Sequence, residues 1–288
     1  MAVRLNANNL KPKQLSQLRR AHRLMMNRID NRSYQHIAGI HGWLEEWCQH
    51  DPIPDPANPT RKLHLFLPWH RAYCYTLENN FQIILQLDGD PDYRDFALPY
   101  WNWRSPSSQE EEPIPTSYSE PTAEDGQLNP LHHFRMVIAG RSASGNIVNV
   151  NRDTSRDVGT WPGAGSLNEI RDRTSRQGID IPQLLNESSF LEFSEKLRIG
   201  WHNLIHMYVG GNRGEFSNPD LAAYDPIFWP HHIQIDRIWR MWQRDHGAEN
   251  MPEYMKDIPL SPFGRLKVRD VLNVSNLGYD YARVAGES

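Results

Sequence analysis

Cysteine is scarce: 288 residues contain only Cys48 and Cys74. Two are too few to staple a chain of this length, so a disulfide framework is excluded, and each sulfur has to be read from its neighbours. Long apolar runs are missing as well. None approaches the roughly 18 residues that cross a bilayer, so no membrane association is expected. Met1 to Pro12 is polar, with neither an apolar stretch nor a small-residue cleavage pattern. No signal peptide is seen, and the expected location is the cytoplasm, or outside the cell only in the company of an exporting partner. Runs of positive charge are absent too. The formal net charge is −4 with Lys and Arg scattered singly, which leaves no electrostatic footprint for a nucleic acid.

What the chain does have is helical periodicity broken by long irregular stretches. Ser16 to Asp30 carries Leu18, His22, Met25, Met26 and Ile29 at three- and four-residue steps, which predicts an amphipathic helix with His22 as an ordinary core or surface residue. Ser33 to His41 continues helically and stops at Gly42. Leu67 to Leu87 reads as a long helix opened by Pro68, with Leu77, Phe81, Ile84 and Leu85 along one face. Leu184 to Ile205 and Ile227 to Arg244 read as two more. Between Asp51 and Pro59 four prolines predict a projecting loop. Ser105 to Gln127, rich in Pro, Ser and Glu, predicts irregular surface, and Gly140 to Gly165 shows no strong period. No composition break divides the chain, so one domain over 1–288 is expected.

Histidine is where the chemistry lies, with thirteen in all. His202 and His206, four apart, share one helical face and can aim both imidazoles at one point. Asp225-Pro226-Ile227-Phe228-Trp229-Pro230-His231-His232 brings a further histidine from a second helix. Upstream, His41, His50, His64 and the His70 of Phe66-Leu67-Pro68-Trp69-His70-Arg71 supply imidazoles for a second centre. Each half of the chain thus offers a helix pair with inward histidines. The expected fold is mainly α: a four-helix bundle core holding a dinuclear metal site, wrapped by long loops with few short strands. An all-imidazole donor set, with no thiolate quartet and no carboxylate cluster, disfavours hard cations, structural zinc and carboxylate-bridged iron and favours copper. A zinc protease would place Glu inside His-Glu-x-x-His, whereas Asn203, Leu204 and Ile205 separate this pair.

These two blocks resemble the copper-binding signatures of the tyrosinase and catechol oxidase family, the type-3 copper proteins. The likeness runs from about Ser33 to Tyr281 and includes Leu98-Pro99-Tyr100-Trp101-Asn102-Trp103, Gly210-Gly211 and Gly278-Tyr279-Asp280-Tyr281. It implies two copper ions, dioxygen as co-substrate and a small phenolic substrate oxidised to an ortho-quinone. It also implies His202, His206 and His232 on the second copper, with His231 a non-ligand neighbour, and His41 and His70 on the first. Nine residues before His70, where members place another ligand, stands Arg61, which leaves His50 or His64 as the third. His50 is preferred because Cys48-Gln49-His50 resembles the Cys-x-His of members whose cysteine sulfur is bonded to the ring. Cys74 is expected to be a small buried apolar residue. No C-terminal lid domain is expected. Some members take copper from a helper protein, and haemocyanins use the same dinuclear site to carry oxygen without catalysis.

By the same resemblance Phe228 packs on a ligand ring, Asn203 helps orient a water, and Met207 faces the substrate entrance, while Asp236, one turn beyond His232, is a candidate acceptor for an imidazole N–H. The water in tyrosinases is shared with a Glu that takes the phenol proton, and Arg198 stands at that position. A guanidinium cannot accept a proton. Oxidation of catechols or ortho-aminophenols is therefore expected ahead of hydroxylation of monophenols, with Glu192 and Glu195 upstream as the nearest substitutes.

Overall fold

The computed structural model describes residues 1–103 and 114–282. The first part of the predicted irregular surface segment, 105–113, lies outside these residues. Helices dominate the rest. The predicted amphipathic helix is α1 (Pro12–Met26), which buries Leu18, Ala21, His22 and Met25. Helix α2 (Tyr34–His41) is capped by Ser33, whose hydroxyl accepts from the His36 backbone N–H at 3.1 Å, and it ends at Gly42. Helix α3 (Phe66–Leu87) carries Pro68 in its first turn, where a missing N–H costs nothing, and buries the whole Leu77, Phe81, Ile84, Leu85 face.

The single helix expected over Leu184 to Ile205 is instead broken twice. A short turn ends at Leu185, and Ser189 caps a new start, α4 (Phe190–Leu197). A wide π turn over Arg198–His202 follows, kinked where Gly200 leaves helical geometry, before α5 (Asn203–Gly210). Wide turns of this kind re-aim side chains at functional sites. Helix α6 (Phe228–His246) closes the set and packs along α3, while α1 packs on the other side of α3.

Two stretches expected to be irregular form hairpins. In the proline-rich one, β1 (Ile53–Asp55) pairs antiparallel with β2 (Asn58–Leu63). A two-stranded ribbon leaves each strand one edge free of the ladder, so Pro54 and Pro59 are tolerated. The other joins β3 (Arg135–Arg141) to β4 (Ile147–Asp153), with Met136, Ile138, Val148 and Val150 inward. The chain's first strand, Ala2–Arg4, runs parallel to Tyr279–Tyr281 and so ties the N-terminal segment to the far end of the described chain.

Candidate metal centre

Helices α2, α3, α5 and α6 converge on one buried point. Their imidazoles, with one from a loop, form two adjoining groups whose ligand atoms lie within 4.8 Å of one another: His41, Cys48, His50 and His70 in the first, and His202, His206, His231 and His232 in the second. The groups touch where the His70 and His232 rings stack, with centroids 4.2 Å apart. Of the two histidines left open by the sequence, the structure brings His50 into the first group. His64 is half-buried outside it.

Four of the rings are oriented by main-chain carbonyls that accept an Nδ1–H. His41 donates to the oxygen of Pro219 at 3.0 Å, His70 to Phe66 at 2.8 Å, His206 to Phe216 at 2.8 Å, and His202 to Arg198 at 3.3 Å. A neutral imidazole protonated at Nδ1 presents a bare lone pair at Nε2. The Nε2 atoms of His41, His202 and His206 are buried without any hydrogen-bond partner, as are both ring nitrogens of His232. Buried polar atoms left bare in this way are costly unless something occupies them.

His231 Nε2 is buried without a partner as well, but its tautomer differs. Trp103 donates its indole N–H to His231 Nδ1 at 3.2 Å, and since an indole can only donate, the neutral ring must carry its proton on Nε2. The nitrogen facing the cluster is then a donor, unfit for a metal, which gives a physical reason why one of two adjacent histidines stands apart.

Burial holds all these rings neutral. It pushes His41, His70, His202 and His232 well below the usual imidazole range, with neighbouring imidazoles adding to the effect, and takes His206 to about 3 and His50 to about 4. Burial likewise pushes the Cys48 thiol up, so the sulfur is not a thiolate. Its Sγ lies 3.4 Å from His50 Nδ1 and 3.5 Å from His70 Nε2.

Two close backbone approaches hold the carbonyl acceptors in place. A Cβ on Gly42 would sit 2.2 Å from the Asp220 oxygen, and one on Gly210 would sit 2.0 Å from the Ser217 nitrogen. Only glycine lets the segments carrying Pro219 and Phe216 come so near His41 and His206. No sequence pattern announces a carbonyl acceptor, and those of Pro219 and Phe216 were missed for that reason. The Phe66 ring was missed too, although it opens a quoted motif; it packs against His70 and His202 at centroid distances of 4.9 and 4.6 Å.

The remaining predicted residues fall as follows. Phe228 lies against His232 and His41, centroids 4.1 and 4.9 Å away. Cys74 is fully buried. Asn203 Oδ1 shares the His202 Nδ1–H with the Arg198 carbonyl and is the closer acceptor, at 2.9 Å. The Arg198 guanidinium meets Asp51 at 2.7 Å and Glu195 at 2.7 and 3.1 Å. Asp236 corrects its expectation. It meets no imidazole and instead takes hydrogen bonds from Arg71, Arg4, Tyr279 and Tyr281 in a sealed ionic network, because its side chain faces α3 and the chain ends, away from the metal groups. A cavity of about 570 Å³ opens onto the centre, lined by His202, Asn203, His206, Met207, Arg198 and Ile53 among others.

Comparison with known proteins matches this arrangement. The model of the common central domain of tyrosinase covers residues 31–245. A hemocyanin 2-c chain from Megathura crenulata is 28% identical over 91% of this chain and 60% of its own length. Tyrosinase HcTyr1 from Hahella sp. (strain CCB-MM4) is 29% identical over 98% of this chain and 63% of its own. The chain thus spans less than two thirds of these relatives. Among solved structures, a copper-depleted mutant of the active tyrosinase of Aspergillus oryzae, complexed with L-tyrosine, superposes with a TM-score of 0.72 at 21% identity, covering 98% of this chain and 92% of that one. A functional unit of octopus hemocyanin superposes with a TM-score of 0.69 at 24% identity, covering 98% and 68%.

Proposed function

The chain belongs to the tyrosinase family of type-3 copper proteins, and from that premise we propose that it oxidises ortho-diphenols to ortho-quinones, and ortho-aminophenols to the corresponding quinone imines, with dioxygen. His41, His50 and His70 would hold the first copper and His202, His206 and His232 the second. The bare lone pairs of His41, His202, His206 and His232 fit such ions, since neutral imidazole is a good donor to copper. Bound copper supplies the redox chemistry, exchanging electrons between the phenolic ring and dioxygen.

The chain's own residues do the rest. Carbonyl acceptors and the Phe228 and Phe66 rings fix the imidazoles, and the surrounding tryptophans exclude water. Trp69, Trp201 and Trp229 are buried with their N–H groups bonded to Ser261, Ile179 and Tyr34. Cys48 beside His50 restrains that ring, and a sulfur–carbon bond to it would do so permanently. Met207 at the cavity wall gives a catechol ring apolar contact.

The observation that carries an enzymatic reading is the cavity. At about 570 Å³ it falls within the range that accommodates a small ligand, and it reaches His202 and His206 directly. The ordering of diphenols over monophenols rests on Arg198. That residue cannot take a phenol proton, and it engages both nearby carboxylates, Glu195 through two N–H donors and Asp51 in an ion pair. Likeness to hemocyanins supports a second reading, reversible oxygen binding without turnover. Oxygen uptake by copper-loaded protein with 4-methylcatechol and with tyrosine separates the two. Rapid catechol oxidation with slow, lagging tyrosine turnover is expected; oxygen binding with no catechol turnover would establish the carrier reading instead.

A further inference from the structure

A second cavity reaches the same centre beside the larger one. It measures about 320 Å³ and shares His41, Cys48, His50 and Pro219 with the larger one, but its outer wall is different in kind: Glu46, Asp220, Ser144 and Asn146 in place of Ile53, Met207 and the Arg198–Asp51 ion pair. Glu46 is anchored by the backbone N–H and hydroxyl of Ser144, at 2.8 and 3.0 Å, and keeps lone pairs free. Among the described residues no donor meets the Asp220 carboxylate, and none of the cavity's lining residues is a lysine or arginine. Partial burial together with the charge of Glu46 holds that carboxylate above its ordinary range, a cost that a cation in the cavity would relieve. At the inner end stands His41, 3% exposed, with its Nε2 bare.

We propose that this acidic cavity is a metal-entry port, through which a copper ion reaches the first imidazole group separately from the opening used by phenols. The oxygen-rich wall suits a hydrated cation. The larger cavity suits it less, since the carboxylate on its wall, Asp51, is paired with the Arg198 guanidinium and Ile53 and Met207 beside them are apolar. Two carboxylates on one wall of the cavity raise the local cation concentration and hence the loading rate, and the effect is screened by salt. The inference rests on the copper reading above, and the experiment keeps the two apart.

Copper(II) sulfate is mixed with metal-free protein, uptake is followed by quenching of tryptophan fluorescence, and final copper is counted by metal analysis. In low salt the Glu46→Gln/Asp220→Asn variant should load about tenfold more slowly than the unaltered chain, yet still reach two coppers per chain. The gap should close in high salt. Asn146→Asp, which adds a charge to the same wall, should load faster, and it keeps the idea testable if the double variant folds poorly. Met207→Trp, which narrows the larger cavity, should leave the uptake rate unchanged. Equal loading rates for the charge variants and the unaltered chain would overturn the port, as would slowed uptake in Met207→Trp. Absence of copper binding to any form would instead overturn the dinuclear copper reading.

Discussion

Arg198 and Asp51 face each other 2.7 Å apart on the wall of the larger cavity, joining the turn that carries His202 to the loop that carries His50. One residue thereby touches both halves of the centre, because the Arg198 carbonyl also orients His202. The partner carboxylate is 83% exposed, so salt screens the pair. Asp51→Asn should lower kcat/KM for catechol by about two- to threefold in low salt. In high salt the unaltered protein should fall to meet it. Steady-state kinetics at two ionic strengths check this, and an unchanged kcat/KM in the variant would contradict it.

The placement of His50 beside His41 and His70, with His64 outside, sets a second expectation. His50→Ala should reduce bound copper from two to one per chain and abolish catechol oxidation. His64→Ala should keep both coppers and most activity. Metal analysis of the two purified variants decides between them, and copper loss in His64→Ala alone would reverse the assignment.

Asp236 sits in a buried network with Arg4 and Arg71, and Arg4 in turn pairs with Glu78. Burial disfavours its charge, but Arg71 and Arg4 outweigh that and keep it ionised. Removing one member leaves the others as uncompensated buried charges, which costs about 3–5 kcal/mol. Asp236→Asn should lose stability on that scale in denaturant unfolding, and a loss below about 1 kcal/mol would show the network to be dispensable.

His22 supplies a pH dependence away from the metal centre. Burial lowers it from 6.5 to about 4, while its Nδ1–H donates to the Leu18 carbonyl at 2.9 Å. Between those values the unfolded chain takes up a proton that the folded chain refuses, so stability falls as pH falls. From about pH 7 to about pH 5 this single group should remove about 2 kcal/mol. His22→Leu should therefore lose less stability than the unaltered protein over that interval. Denaturant unfolding of copper-loaded forms at both pH values tests it, and parallel losses in the two proteins would contradict it.

The helices that carry His41, His70 and His232 were legible because their apolar faces repeat every three to four residues and their ends are marked, as at Ser33 and Gly42, whereas the breaks before His202 were not. The hairpins were not. In β3 and β4 the alternation of Met136 with Ile138 and of Val148 with Val150 is only two residues deep on each strand, too short to stand out from a polar surrounding. Of the centre, the histidines could be read directly, since imidazole spacing is a side-chain signal. Their orientation could not, because it depends on the carbonyls of Pro219, Phe216 and Phe66, and main-chain groups are the same at every residue. Asp236 misled for a related reason. Its position one turn beyond His232 gives distance along the helix but not which neighbour its side chain meets.

The central claim is that two coppers sit side by side in the paired imidazole groups. Copper analysis combined with electron paramagnetic resonance of the oxidised protein tests it most directly. Two coppers per chain with little or no resonance signal, because adjacent ions couple their unpaired spins, is the predicted result. One copper per chain, or two giving full independent signals, would contradict it.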